Sequence, residues 1–328
     1  MPSITMVESL NLALDEALAQ DNRVCLMGQD IGVNGGVFRV TKGLQARYGK
    51  DRVMDSPLAE CGIIGTAVGM AIYGMKPIAE IQFSGFSLQA FDQIEQNMSR
   101  LRNRTQGRFE ISMVMRTPYG GGIRAVEHHS ESRETYWAHT PGLKVVIPSG
   151  PRNARSLLAA AIADPDPVVF YEPKSIYRAF REDVPEEPET MPLGKAQVVR
   201  PGEDITIISY GAMIRPVREA VDDLSDQHGI DVELIDLLTI SPMDTTTLVE
   251  SVRKTGRCIV VHEGHRTCGI GAEVVARLAE HGSFEYLVAP LRRLTAPDLP
   301  FPYFQVEQHF LPDPDDVVET ACELMNWN

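Results

Sequence analysis

The sequence lacks the features that mark membrane, secreted and metal-binding proteins. No apolar run reaches membrane-spanning length, and no basic region followed by an apolar stretch stands at the N-terminus. Neither a membrane segment nor a signal peptide is therefore expected. The five cysteines are widely spaced and form neither a CxxC nor a Cys/His metal pattern. We therefore expect reduced thiols, a cytoplasmic location and no membrane partner.

Positive charge is also scarce. The 328 residues include 31 Lys and Arg against 45 Asp and Glu, so the net charge is −14 at pH 7. A chain this acidic lacks the basic surface that binds nucleic acid, which is excluded as an expected partner. Only 7 of the basic residues are Lys. A salty cytoplasm and a GC-rich genome that favours Arg are both open as explanations.

The sequence alternates strand patterns with helix patterns. Its length is too great for a single hydrophobic core. Such an alternation predicts mainly parallel sheets with helices on both faces. An acidic, proline-rich stretch separates two such sets and reads as a linker. We therefore expect an α/β protein of two domains, residues 1–180 and 198–328, joined by a linker at residues 181–197.

The patterns also predict individual elements. In the first domain we expect a helix that starts at the capping box Thr5–Glu8, then strands at 24–28, 77–83, 110–116, 144–148 and 167–171, with helices near 40–48, 88–101 and 153–163. In the second we expect strands at 205–209, 232–236 and 258–262, with helices at 216–225, 246–254, 272–280 and 315–325.

The stretch from Asp55 to Met70 is the most informative. It predicts a turn capped by Asp55 or Ser56, with Pro57 at the first helical position, and then a helix that is apolar or small on every face. So many glycines suit a helix only where its backbone approaches another surface. Glu60 is the one carboxylate within this apolar run. We expect it to be desolvated, with a raised pKa suited to proton transfer; a Glu that complements the helix dipole is the alternative.

A second candidate site, Gln82–Phe86, follows an expected strand. Ligands of open parallel sheets bind at the carboxyl ends of the strands. Phe86, released from the strand by Gly85, is placed to offer a flat apolar surface to an aromatic ring. The alternative is that both Phe83 and Phe86 belong to the core.

Two further segments carry groups suited to chemistry. His128 and His129 follow a run of three glycines, which predicts a mobile loop at 120–132, and their setting suggests acid–base work or, alternatively, a solvated surface loop. Asp164 and Asp166 flank a proline, which is ordinary turn chemistry.

The segment Pro-Leu-Ala-Glu-Cys-Gly-Ile at 57–63 resembles the glutamate-bearing motif of a known family. That family is the beta subunits of the thiamine-diphosphate-dependent decarboxylating components of 2-oxo acid dehydrogenase complexes. The glycine-rich segment that leads into His-Ser-Glu-Ser at 129–132, and Glu-Pro-Lys-Ser-Ile-Tyr-Arg at 172–178, resemble the same family. The resemblance covers nearly the whole chain. It implies a transketolase-like pyrimidine-binding domain followed by a transketolase C-terminal-like domain.

The resemblance also implies roles for single residues. Leu58, Gln82 and Phe86 match family positions that line the aminopyrimidine pocket, and Glu60 matches the glutamate that activates thiamine diphosphate. His129 receives the catalytic role, and His128 is left without one.

A monovalent cation is implied at the turn after residue 160. Its ligands would be Asp164, with Ala161 and backbone carbonyls near Met113 and Val114. Asp166 would be a further ligand, although some relatives have Asn at this position.

The chain has no Gly-Asp-Gly motif of the kind that binds Mg²⁺ and a diphosphate. The resemblance therefore implies half a site, completed by an alpha subunit that holds both groups in an α2β2 heterotetramer. A lipoyl-bearing acyltransferase core would be the further partner. Several segments resemble pyruvate-type subunits more than branched-chain ones; branched-chain and acetoin dehydrogenase subunits are alternatives. A non-catalytic assembly or regulatory chain of the same fold is the alternative from another class.

Overall fold

The computed structural model describes residues 2–187, 189 and 191–327. The chain forms two compact units, the first made of residues 1–119 and 136–193 and the second of residues 120–135 and 194–328. The glycine-rich segment with His129 therefore groups with C-terminal residues. Pro188 and Thr190, inside the predicted linker, lie outside the described residues.

Parallel strands form the sheet of the first unit, as the alternation of patterns predicted. Every neighbouring pair among the six strands named below runs parallel. Buried parallel strands have both faces covered, which explains their nearly continuous apolar sequences. Their spatial order is Lys144–Val146, Val168–Pro173, Val114–Tyr119, Lys76–Glu80, Val24–Gly28 and Val53–Asp55.

The helices of the first unit begin with Met6–Gln20. Its predicted capping box is present, because Thr5 accepts from the Glu8 N–H and the Glu8 carboxylate accepts from the Thr5 N–H at 2.7 Å. This helix packs against Pro151–Ala163. The remaining α-helices are Leu44–Tyr48, Glu60–Ile72 and Leu101–Arg104, and the helix Glu134–Ala138 has its first two residues in the second unit.

Two predicted elements of this unit are wrong in detail. The helix expected at 88–101 is a 3-10 helix, Ser84–Ala90, followed by a π-helix, Gln93–Met98. Side chains compete for backbone carbonyls here, since the hydroxyl of Ser87 donates to the Ser84 carbonyl at 2.6 Å.

The strand expected at 110–116 is Val114–Tyr119. Pro118 is tolerated in it, because it faces the side where the neighbouring strand Lys76–Glu80 has already ended.

The second unit contains a sheet that is parallel except at one edge. The order is Arg292–Ala296, Cys258–His265, Ile205–Ser209, Val232–Asp236 and Gln197–Arg200, and only the last strand runs antiparallel to its neighbour. Two strands of this sheet, Ile205–Ser209 and Val232–Asp236, have the predicted bounds. The strands Gln197–Arg200 and Arg292–Ala296 were not predicted.

Amphipathic helices cover this second sheet. Ile214–His228 buries Val217, Val221 and Leu224, which recur at helical spacing, and it ends at Gly229 with a left-handed φ of 66°. The other helices are Glu127–Ser130, Thr245–Thr255, Ile270–Glu280 and Pro314–Met325, and a short strand lies at Thr239–Ser241.

Three smaller features complete the description. Strand Ser3–Ile4 pairs antiparallel with Glu182–Asp183 in the first unit. The helices of the described residues are all too short or too polar to cross a membrane. All five cysteines are free thiols.

A buried ion cluster ties three strands of the first unit together. Arg116 donates to Glu172 at 2.7 Å and to Glu80 at 2.9 Å, and the Tyr177 hydroxyl also bonds to Glu172. Glu80 and Arg116 lie directly opposite each other on neighbouring strands, so the register of the sheet brings their side chains together. Burial raises the pKa of Glu80, and the Arg116 charge opposes that rise.

We expect Arg116→Met to destabilise the protein by about 3–5 kcal/mol, because two carboxylates would remain buried without their cation. Urea unfolding measures the loss. Arg215→Met, in the exposed pair with Glu219, is the matched control and should cost less than about 1 kcal/mol. A loss at Arg116 no larger than the control would contradict this account of the cluster.

Candidate functional site

Glu60 occupies the first position of the helix Glu60–Ile72, not the interior of a helix that starts at Pro57. The expected caps are therefore wrong: Ala59 is the residue before the helix, with no side-chain cap. Asp55 instead accepts from the Gly32 N–H at 2.6 Å. The carboxylate of Glu60 thus lies at the positive end of the helix dipole, where an anion is stabilised.

Burial of Glu60 is confirmed, since the residue is only 8% exposed. No side chain among the described residues donates a hydrogen bond to its carboxylate, and the buried hydroxyl of Ser56 is also without a described partner. Buried polar groups are normally bonded, so this turn has the donor and acceptor capacity to receive a ligand or a partner chain.

The other proposed pocket residues follow the two strands that lie on either side of Val24–Gly28. Leu58 follows strand Val53–Asp55 and is 69% exposed, and Gln82 follows strand Lys76–Glu80 and is half-buried. Phe86 is half-buried in the 3-10 helix Ser84–Ala90, which packs against the helix of Glu60. The structure thereby brings the segments of Glu60 and Phe86 together.

The sequence left open whether Phe83 and Phe86 belong to the core or offer a surface to a ligand, and the structure shows a different position for each. Phe83 is buried, and its ring meets that of Phe86 edge to face with centroids 5.6 Å apart. Phe83 is therefore core, while Phe86 lies at the core boundary.

Among the glycines of the helix Glu60–Ile72, Gly65 lies close to a neighbouring side chain. A Cβ at Gly65 would lie 3.3 Å from the side-chain oxygen of Gln93, so the prediction of close approach is confirmed there. A Cβ at Gly69 would meet nothing within 4 Å in the described part of the chain.

His129 lies in the short helical turn Glu127–Ser130 of the second unit and is half-buried. His128 is more exposed and has Glu131 3.3 Å from its Nδ1. The carboxylate of Glu131 also accepts from Arg133 at 3.0 Å. The two histidines therefore have different surroundings.

Residues that the sequence did not single out contact this loop. The Gly121 N–H donates to Glu263 at 2.9 Å, and the Gly122 N–H donates to Glu307. The hydroxyl of Tyr210 donates to Glu134 at 2.8 Å. Glu263 and Glu307 lie 142 and 185 residues from these partners along the chain, so no local sequence pattern pointed to them.

The aspartates of the expected cation turn are bonded to basic side chains. The Lys144 ammonium lies 2.7 and 2.6 Å from the two Asp164 oxygens and 3.2 Å from Asp166, and Arg102 also pairs with Asp166. The carbonyls of Ala161 and Met113 accept backbone N–H groups. No cluster of His, Cys, Asp and Glu able to hold a metal ion occurs among the described residues.

The second unit also contains a buried histidine, His262, next to Tyr210. Nε2 of His262 accepts from the Gly271 N–H at 3.1 Å, which fixes a neutral imidazole, and its ring stacks on Tyr210 with centroids 5.9 Å apart. Burial, with a further contribution from the Arg293 charge, lowers the pKa of His262 to about 4.

Comparison with known proteins places the chain among transketolase-like sequences. Residues 2–179 match the model of the transketolase pyrimidine-binding domain, and residues 194–317 match that of the transketolase C-terminal domain.

Among curated proteins, similar chains include the pyruvate dehydrogenase E1 component subunit beta of Acholeplasma laidlawii, 48% identical over 99% of this chain and 98% of that one. The protein of the same name from Staphylococcus epidermidis strain ATCC 35984 is 48% identical over the whole of both chains. The one from Staphylococcus aureus strain Mu50 is 46% identical, again over the whole of both.

A solved structure described as a split-gene transketolase, inactive beta4 tetramer, superposes with a TM-score of 0.81 over 99% of both chains. Its sequence is 20% identical, so this likeness concerns the fold.

We expect His262 to make stability fall as the pH drops. The unfolded chain takes up a proton near pH 6.5, whereas the folded protein keeps His262 neutral until about pH 4, so acid favours unfolding across that window. By linkage this single group should cost about 2.4 kcal/mol between pH 7 and pH 4.5.

Urea unfolding at the two pH values tests this. His262→Gln keeps an acceptor for the Gly271 N–H and should lose less stability on acidification than the unaltered chain. His228→Gln, at an exposed position, is the matched control. Equal losses in both variants would rule out His262 as the source.

Proposed function

The chain belongs to the family of pyruvate dehydrogenase E1 component beta subunits, and on that premise we propose the chemistry of its site. The resemblance drawn from the motifs is thereby confirmed, and the relatives named above are pyruvate dehydrogenase subunits. We propose that the chain helps to decarboxylate pyruvate with thiamine diphosphate and to transfer the acyl group to a lipoyl domain. The reaction requires an alpha subunit.

The observation that carries this proposal is that Glu60 is a buried residue whose carboxylate accepts no hydrogen bond from a described side chain. An aminopyrimidine offers such a carboxylate a ring nitrogen with which to share a proton. Its ring would be bordered by apolar carbon from Leu58 and Phe86, and Gln82 would supply an amide that both donates and accepts. The residues present therefore fit the pyrimidine end of the cofactor.

When bound, thiamine diphosphate supplies a carbon acid and an electron sink for the loss of CO₂. Glu60 would hold a proton at the ring nitrogen and return it, which favours the basic form of the neighbouring amino group. His129 would donate or accept a proton during decarboxylation or acyl transfer, which is work that an imidazole side chain commonly does in enzymes.

The alpha subunit would provide what this chain's sequence lacks. Without a Gly-Asp-Gly motif, the diphosphate and Mg²⁺ would be held by that subunit, in an α2β2 heterotetramer. The lipoyl-bearing acyltransferase core would be the next partner. A cytoplasmic location is proposed with them and rests on the absence of paired cysteines among the five thiols.

The family resemblance also implies a bound potassium ion. At the turn of Asp164 and Asp166 the residues do not fit such an ion, because Lys144 and Arg102 already balance both carboxylates. The potassium site stays a prediction that these contacts do not support.

We expect Glu60→Gln in the assembled enzyme to keep cofactor affinity within about twofold and to lower turnover by at least about a hundredfold. The amide preserves shape but cannot supply the proton, and general acid–base catalysis is worth about 10²–10⁴-fold. Calorimetry measures the affinity, and NMR follows exchange of the cofactor's C2 proton. Exchange at the unaltered rate would remove Glu60 from the activating role; Glu280→Gln, on an exposed surface, is the control.

We expect the beta chain alone to show no decarboxylase activity and no micromolar affinity for thiamine diphosphate in the presence of Mg²⁺. The reason is that half of the site, including the diphosphate motif, lies outside its sequence. Calorimetry on the purified chain measures this, with the assembled enzyme as the positive control. Micromolar binding by the chain alone would contradict the half-site arrangement.

A further inference from the structure

We propose that the loop Gly120–Thr135, which carries His129, is anchored at both ends by buried side chains of the second unit. Glu263 and Glu307 hold its start and Tyr210 holds its end. These three residues, the anchor residues below, are positioning residues for His129. The inference rests on the proposed role of His129 and adds the groups through which that role is kept in place.

The start of the loop is held by two carboxylates. Glu263 and Glu307 are 5% and 4% exposed, and each accepts a backbone N–H, from Gly121 and Gly122 respectively. Hydrogen bonds to a carboxylate are about twice as strong as those between neutral groups. Two successive N–H groups directed at two different carboxylates fix both the position and the direction of the chain at this point.

The glycines of the loop permit this contact. A Cβ at Gly120 would lie 2.5 Å from Glu263, and one at Gly121 would lie 2.7 Å from the ring of Phe301. Gly120 also has a left-handed φ of 85°. The run of glycines, which the sequence alone read as a mobile loop, is thus a place where the backbone approaches buried side chains.

The end of the loop is held by a buried hydrogen bond. Tyr210 and Glu134 are each 1% exposed, and the tyrosine hydroxyl donates to the glutamate. A Cβ at Gly264 would lie 2.8 Å from the same Glu134 oxygen, so glycine is needed for the close approach here as well.

The residues between the two anchored ends are more accessible. Arg124 is exposed and has a left-handed φ of 57°, and the N–H of His129 donates to the Val126 carbonyl at 3.0 Å within the short helical turn. A segment fixed at both ends has fewer arrangements than one fixed at a single end. Loss of either anchor should therefore free the turn that carries His129.

Limited trypsin digestion of the assembled α2β2 enzyme tests the anchoring, with cleavage after Arg124 as the readout. We expect Glu263→Ala and Glu307→Ala each to speed that cleavage by about tenfold, because each removes a charge-assisted hydrogen bond. Glu263→Gln and Glu307→Gln retain an acceptor oxygen and should stay near the unaltered rate. Tyr210→Phe should act like the alanine variants, and Glu280→Ala, at an exposed position, should change nothing.

Steady-state kinetics on the same enzymes tests the positioning. We expect the alanine variants to lower kcat by about tenfold, while KM for pyruvate and cofactor affinity change by less than about twofold, and we expect the Gln variants to restore kcat. A general loss of structure would lower cofactor affinity too and would not be rescued by Gln.

Unchanged cleavage after Arg124 in both alanine variants would overturn the anchoring. Faster cleavage with an unchanged kcat would overturn the positioning role. His129→Ala, measured in parallel, separates this inference from the proposed function. Full activity in that variant would refute the role of His129, while the cleavage rates would still decide whether the anchor residues hold the loop.

Discussion

The burial of Glu60 at the start of an apolar helix is the constraint on which the proposed site depends. Burial of the residue removes part of the hydration of its carboxylate, and the helix dipole offsets part of that loss. Elsewhere in the same unit the cost is met within the chain, since Glu80 and Glu172 both contact Arg116. No described side chain does the same for Glu60. A cofactor that shares a proton with this carboxylate would supply what the chain leaves out, which links the local energetics to catalysis.

The sequence predicted those parts of the fold whose causes are local. Ile205–Ser209 and Val232–Asp236 have their predicted bounds, because β-branched and aliphatic runs between turn residues define a buried strand without reference to the rest of the chain. The π-helix Gln93–Met98 and the antiparallel edge strand Gln197–Arg200 were not predicted. Both depend on neighbours brought close by folding. The same division holds in the site: Glu60 was identified from its own apolar surroundings, but its place at the first helical position was not.

The glycine-rich loop shows what composition alone leaves open. Glycine makes a segment more flexible, and it also lets the backbone approach other groups closely. The sequence does not show which of these two properties a glycine serves. The distinction comes from Glu263 and Glu307, which are 142 and 185 residues away from their partners along the chain. Contacts at such separations carry no local pattern. The loop should therefore be regarded as a segment whose order is imposed by its neighbours, with His129 as the residue that benefits.

The turn at Asp164 is a second case in which residues elsewhere in the chain decide what a local pattern does. Here the contacts are between charged groups. Two aspartates around a proline are ordinary turn chemistry, and only the family resemblance made them candidate cation ligands. The sequence carries no information about which groups neutralise them. Lys144, 20 residues earlier, supplies the charge through two short contacts with Asp164. An ammonium attached to the chain has a high effective concentration that does not depend on the surrounding solution. An ion from solution would have to displace it, so the balance of charge at this turn is a property of the folded chain and not of the potassium concentration.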